Sequence, residues 1–182
     1  MARSHRLQDL HKRPGFLLKR CQQVSAAIFL EECREFNMTA SQYGCLWALS
    51  EFPGIDQLTL GRLVGLDRST VGLVVKTLCE RGAIERAVDE RDKRRLILKI
   101  SSAGAQLLKD IAPSAARAQD RVFAGFPRNS RAVFVEMLEE FLAGHGATID
   151  VDDVLSSALG GAAPERDEIA ARKIAATRAR GK

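Results

Sequence analysis

A mainly α-helical chain interrupted once by a β-hairpin is the fold class this sequence predicts, on three observations. Apolar residues recur at spacings of three and four through most of residues 16–142. Capping residues and Pro/Gly stops cut that run into separate helices. Only residues 84–100 switch to a period of two, on either side of a charged tip.

Taken in order, Pro14-Gly15 is a good helix start. The run from Phe16 to Phe36 places Leu17, Cys21, Val24 and Ile28 on one stripe and Leu18, Ala26, Phe29, Leu30 and Cys33 on others, the pattern of a helix packed on more than one side. Thr39 can cap a second helix, Ala40 to Glu51, which carries Tyr43, Leu46, Trp47 and Leu49 inward and is stopped by Pro53-Gly54. Residues 58–82 hold two short helical patterns separated by Gly65-Leu66-Asp67, the first capped by Thr59 and the second begun by Asp67 or Arg68. Ile84 and Val88, the charged knot 89–95, and then Leu96, Leu98 and Ile100 form the hairpin. Ser101 or Ser102 caps a long helix from about Ala103, with a bend expected at Pro113 and a break near Phe126-Pro127. A last amphipathic helix from about Asn129 to Leu142 carries Phe134, Met137, Leu138 and Phe141. Gly144-His145-Gly146 and Gly160-Gly161 bracket a short segment with one or two helical turns from Asp152 to Leu159, residues 163–182 have too little apolar surface to fold alone, and 144–182 as a whole reads as a flexible basic extension.

Composition narrows the function classes. With 182 residues and 46% hydrophobic side chains the chain can bury a sizeable core. No stretch approaches the roughly 18 apolar residues of a membrane span, and no signal-peptide core follows the basic N-terminus, so a soluble cytoplasmic protein without membrane contact is expected. The net charge of +5 is unevenly distributed. Residues 1–20 hold six basic residues against one acidic, residues 61–99 ten against six, and residues 165–182 six against three, while the remainder is net negative. That arrangement suits a chain that approaches a polyanion. Four cysteines at spacings of 12, 12 and 34 form no CxxC pair, and His5, His11 and His145 have no ligand spacing, so no metal and no cofactor are expected. There is no Ser/His/Asp or Cys/His constellation and no glycine-rich phosphate cradle, which argues against an enzyme.

The segment Leu58 to Gly104 carries the functional signal. In its second helix Val71, Val74, Val75 and Leu78 make the buried stripe, which leaves Arg68, Ser69, Gly72, Leu73, Lys76 and Thr77 on or near the opposite face. Two short helices joined by a Gly-containing turn, with small polar and basic residues early on the exposed face of the second, describe a helix-turn-helix whose second helix enters the major groove. The adjoining hairpin is then a wing with six basic residues between Arg81 and Arg95. Asp89 and Asp92 are placed to pair with neighbouring arginines and support the wing, so that Arg94 or Arg95 projects.

Gly65-Leu66-Asp67-Arg68-Ser69-Thr70-Val71, Leu78-Cys79-Glu80-Arg81-Gly82, the Asp89-x-Arg91-Asp92-x-Arg94 tip and the return from Leu98 to Gly104 occur in an order and spacing that resemble the MarR family of transcription regulators. The likeness extends over about residues 14–143. It implies a homodimer with a helical dimerisation region, residues 14–36 and 103–143, and a winged helix-turn-helix DNA-binding lobe, residues 37–102, reading a near-palindromic double-stranded operator. On this reading Thr59, Arg68, Ser69, Thr70, Gly72, Leu73, Lys76, Arg91, Arg94 and Arg95 face DNA. Gly72 and Leu73 depart from the polar residue and Arg that many relatives present to bases, which shifts readout toward Arg68, Ser69, Thr70 and the wing.

The resemblance also implies a small organic effector, frequently aromatic or phenolic, and hence a repressor released by ligand. Phe29, Cys33, Tyr43, Leu46, Trp47 and Arg62 are the candidate pocket residues. Two alternatives stand beside this reading: a thiol-based redox-sensing regulator, and a helical ligand-binding dimer that has lost DNA binding. Cys21 and Cys33 lie about 18 Å apart along one helix and cannot bridge each other within it.

Overall fold

The computed structural model describes residues 3–90 and 92–158. Its elements in chain order are α1 (Arg3–His11), α2 (Pro14–Glu32), a 3-10 turn (Arg34–Phe36), α3 (Ala40–Glu51), α4 (Gln57–Leu63), α5 (Arg68–Glu80), β1 (Ile84–Val88), β2 (Leu96–Ile100), α6 (Ser102–Val122), α7 (Ser130–Gly144) and α8 (Val151–Ala158).

Side-chain caps set most of these helix starts. Thr39 and Gln42 form a reciprocal capping box at α3, with the Gln42 side chain accepting from the Thr39 N–H at 3.0 Å. Asp56 caps α4 by accepting from the Thr59 N–H at 2.8 Å, so the cap falls three residues earlier than Thr59. Asp67 caps α5 and Ser101 caps α6. The α6 helix runs on through Pro113.

The core forms around α3, whose Cys45, Leu46 and Leu49 are fully buried. Leu60 from α4, Val71, Val75 and Leu78 from α5, and Ile111 from α6 close over it. The hairpin pairs antiparallel with Ile84 opposite Ile100 and Val88 opposite Leu96. Residues 54–55 extend it: Gly54 donates to the Leu98 carbonyl at 2.9 Å and Ile55 bridges Leu98. This third short edge alters the expected alternation, since Ile97 and Leu98 are both buried and Leu96 is exposed. Ile97 reaches the Gly54 turn on one face while Leu98 joins the core on the other.

Helix α6 lies along α2 and is tied to it by charge. Arg117 donates to Glu32 at 3.0 Å, and Arg121 donates to Glu32 and Glu31, both at 2.8 Å. The hydrogen bonds from Arg121, then Arg117, hold the Glu32 carboxyl below the usual carboxylate range. In contrast, α7 buries none of its residues. Its Val133, Met137, Phe141 and Leu142 are exposed, as are Leu17, Leu18 and Val24 of α2 and Leu7 and Leu10 of α1.

The segment after Gly144 has the short helix expected near Asp152–Leu159, but that helix is seated on the lobe rather than part of a flexible extension. Residues 151–158 form α8, capped by Asp150, which accepts from the Asp153 N–H at 3.0 Å. The helix packs on α4 with Val154 and Leu155 buried, and Leu155 joins the main core. Its apolar residues fall on one face, Val154 and Leu155 among them, and that face meets α4. Residues 159–182, the rest of the expected extension, lie outside the described residues.

Candidate nucleic-acid interface

The turn between α4 and α5 is built on Gly65, whose φ of +67° is left-handed backbone that a side chain rarely adopts. The Leu66 N–H then bonds back to the Gly61 carbonyl at 2.9 Å, and Asp67 begins α5. Asp67 accepts from the N–H groups of Ser69 and Thr70 and from both hydroxyls. The Ser69 and Thr70 hydroxyls, in that order, hold its carboxyl far below the usual range.

Helix α5 buries Val71, Val74, Val75 and Leu78, the stripe expected. Ser69, Leu73, Lys76 and Glu80 share the opposite, exposed stripe, with Arg68 exposed at its N-terminal edge. Gly72 sits differently from expectation. Its missing Cβ would point toward Gln57 of α4, 3.4 Å from Nε2, and the position is half-buried. Thr59 is also misplaced as a surface contact. It is 3% exposed, because Asp56 rather than Thr59 takes the cap position and turns Thr59 into the core.

In the wing the tip closes on itself. The Asp89 N–H donates to the Arg95 carbonyl, the Arg95 N–H to the Asp92 carbonyl, both at 2.9 Å, and the Arg94 N–H to the Asp92 carboxylate at 3.0 Å. Asp92 therefore supports the tip through backbone N–H groups. The structure separates the two arginines that sequence could not. Arg94 is exposed at the tip. Arg95 turns back and donates to Asp56 through Nε at 3.1 Å and Nη2 at 2.7 Å, a partly buried ion pair. Burial raises the Asp56 carboxyl, but its bonds from Thr59 and Arg95 together outweigh this and leave it below the ordinary range. Arg95 is thus a strut between wing and α4 rather than a projecting cation. Arg91 lies outside the described residues.

Sequence reasoning missed three residues here. Asp56 and Gln57 anchor the wing from α4, Gln57 accepting from Arg86 at 3.4 Å. Arg81 is exposed but not free to act with the wing cations: it donates to the Phe36 and Asn37 carbonyls, both at 2.7 Å, and closes the left-handed turn at Asn37. The Asp56-x-x-Thr59 spacing was the available signal for the first of them.

Beneath this lobe a cavity of about 460 Å³ opens between α2, α3 and α6. Phe29, Tyr43 and Trp47 line it, with Tyr43 and Trp47 edge to face at 5.6 Å. The opposite wall is Ala112, Ala115 and Ala116 of α6, with Ser25 and Gln119 as polar groups. Three expected members are absent from it. Cys33 and Leu46 are fully buried in the core, and Arg62 is exposed on α4. The missed wall has a sequence signal in hindsight: closely spaced alanines in α6 leave space where larger residues would fill it. As for the thiols, burial pushes Cys45 up to about 12 and raises Cys33 as well, so neither is a ready thiolate. Cys21 is exposed on α2.

Residues 38–96, from Met38 just before α3 to the first residue of β2, match the model of the MarR family. The PcaV transcriptional regulator of Streptomyces coelicolor, solved with its natural ligand, is 33% identical, with a TM-score of 0.65 over 74% of this chain and 94% of that one. The chain belongs to the MarR family. As a MarR-family member it is a winged-helix, DNA-binding transcription regulator. Among other relatives, the transcriptional repressor CouR, bound to a 23-mer DNA duplex, is 26% identical with a TM-score of 0.67 over 73% of this chain and 94% of that one. The repressor NicR of Pseudomonas putida is 24% identical over 134 residues, 74% of this chain and 85% of that protein. None of the described helices is long and apolar enough to cross a membrane.

Proposed function

We propose that this MarR-family chain is a homodimeric repressor that leaves its operator when a neutral aromatic ligand, a phenol above all, lodges in the cavity under the DNA-binding lobe. The observation that carries the ligand is that cavity, walled by three aromatic rings and a stripe of alanines. Every lining residue is uncharged, so no cation stands ready to pair with a carboxylate, whereas Ser25, Gln119 and the Trp47 N–H suit a hydroxyl or carbonyl. Because α2, α3 and α6 also connect the lobe to the exposed apolar helices, a ligand among them biases the spacing of the two reading heads without touching DNA.

Residues 14–36 and 103–143 form the dimerisation region in this reading and residues 37–102 the DNA-binding lobe. The exposed apolar stripe of α7, together with Leu17, Leu18 and Val24 of α2, supports a two-fold interface, since no other described element covers it. Light scattering is expected to give about 40 kDa, twice the 20.0 kDa of the chain. A mass of one chain at micromolar concentration would remove the dimer. In DNA recognition, Arg68, Lys76 and Arg94 supply charge, while Ser69 and Thr70 offer hydroxyl lone pairs only, their protons being held by Asp67.

The ligand is tested on Trp47, the only tryptophan. Titration with 4-hydroxybenzaldehyde is expected to quench its fluorescence and weaken DNA binding over one concentration range. Trp47→Phe should retain DNA affinity and respond poorly. A response confined to 4-hydroxybenzoate would overturn the neutral-ligand assignment. Release by hydroperoxide with no response to either aromatic would put a thiol in the ligand's place.

A further inference from the structure

Leu73 is 66% exposed in the middle of the outward stripe of α5, the most exposed of the large apolar side chains among the described residues. It does not belong to the broad apolar surface of α7 and α2; it stands among groups suited to a polyanion, with Ser69 one turn before it and Lys76 nearly one turn after. The hydroxyls that could donate to bases from such a helix are engaged within it. The Ser69 and Thr70 hydroxyls donate to Asp67, and the Thr77 hydroxyl donates to the Leu73 carbonyl at 3.0 Å. Gly72 adds no side chain beside Leu73, and its Cβ direction leads to Gln57.

An aliphatic side chain on a helix in the major groove has one distinctive partner. The C5-methyl of thymine is the only apolar group that a base pair presents there, and apolar contact with it is a recognised form of direct readout. We propose that Leu73 is a specificity-determining residue that reads the C5-methyl of a thymine in each operator half-site, so that this regulator recognises a methyl group at the centre of the helix, where the hydroxyl donors are engaged internally. Charge from Arg68 and Lys76 holds the helix on the backbones, and the methyl contact selects the base. The assignment rests on α5 being the recognition helix of the proposed repressor.

The test deletes the methyl and nothing else. Duplexes are selected from a random library with the full-length protein, and the selected site is remade with deoxyuridine in place of thymine within the half-sites. Affinities are compared by fluorescence anisotropy at one fixed salt concentration. Burying a methyl-sized group is worth about fourfold, so loss of one per half-site should weaken a symmetric complex about 15-fold. Leu73→Ala, a change on an exposed surface, should bind the thymine site about as weakly as the wild type binds the deoxyuridine site, and should no longer distinguish the two. Equal wild-type affinity for both duplexes, or a selected consensus without thymine in the half-sites, overturns the methyl readout while leaving α5 as the reading helix. Discrimination that persists in Leu73→Ala overturns Leu73 as its source. Failure to select any DNA site would instead overturn the repressor reading itself.

Discussion

Replacing Gly104 with alanine is expected to destabilise the chain by about 3 kcal/mol or more, beyond the usual range for overpacking, which corresponds to a fall in Tm of about 6–12 °C for a protein of this size. Gly104 is buried in the first turn of α6, directly over the start of the hairpin. A Cβ there would lie 1.9 Å from the Ala83 carbonyl oxygen and 2.8 Å from its carbon. The obstruction is backbone, and that backbone is held on two sides. The Ala83 N–H donates to the Leu78 carbonyl at 2.9 Å, and the Ala83 carbonyl accepts from the Ser101 N–H at 3.0 Å. The Ser101 hydroxyl adds a bond to the Gly82 carbonyl and accepts from the Gly104 N–H itself. Relief of the clash therefore requires α6 to lift away from β1, and α6 also carries Ile111 into the core. Gly44→Ala is the matched control: it lies inside α3 with nothing within 4 Å of the added carbon, and should stabilise by about 0.5–1 kcal/mol through helix propensity. Thermal unfolding of the two variants decides it; equal Tm values would mean that the α6 to hairpin junction is looser than described.

Operator affinity is expected to fall on the order of 10³-fold or more between 50 and 200 mM salt, as for any dimer that neutralises six or more phosphates. Within that dependence the two neighbouring arginines of the wing should behave in opposite ways. Arg94 is exposed at a tip whose backbone is held by Asp92. Its loss should cost about 1–3 kcal/mol of DNA affinity and lower the salt slope by about one unit per protomer, with Tm unchanged. Arg95 is already neutralised by Asp56, so Arg95→Ala should leave the salt slope nearly intact and lower Tm, because it frees the wing from α4 and leaves the Asp56 carboxylate without its cation. If Arg95→Ala reduces the slope while Arg94→Ala does not, the assignment of strut and contact is reversed.

Much of the fold could be read in advance where the signal is local. The bounds Ala40 to Glu51 follow from a cap at one end and Pro53 just past the other, and the hairpin follows from periodicity around a charged tip. The buried stripe of α5 follows from 3.6-residue spacing alone. The errors share a different character. Thr59 and Asp56 are both acceptable caps, and only one can occupy the N-terminus of α4. Arg94 and Arg95 are indistinguishable as neighbours in a basic loop. Leu46 and Trp47 are consecutive apolar residues, of which one entered the core and the other the cavity wall.

By itself, then, the sequence determined the succession of helices, the single hairpin, the helix-turn-helix spacing and the placement of positive charge around it, because each rests on interactions between residues a few positions apart. Tertiary structure decided which arginine is held and which projects, since Asp56 lies 39 residues from Arg95. It also decided the alanine wall that opens the cavity, and the seating of α8 on α4, which gives a short amphipathic helix the partner it lacks alone. Ion pairing, cavity shape and burial depend on distances between remote elements, and those distances exist only once the core around α3 has brought the elements together.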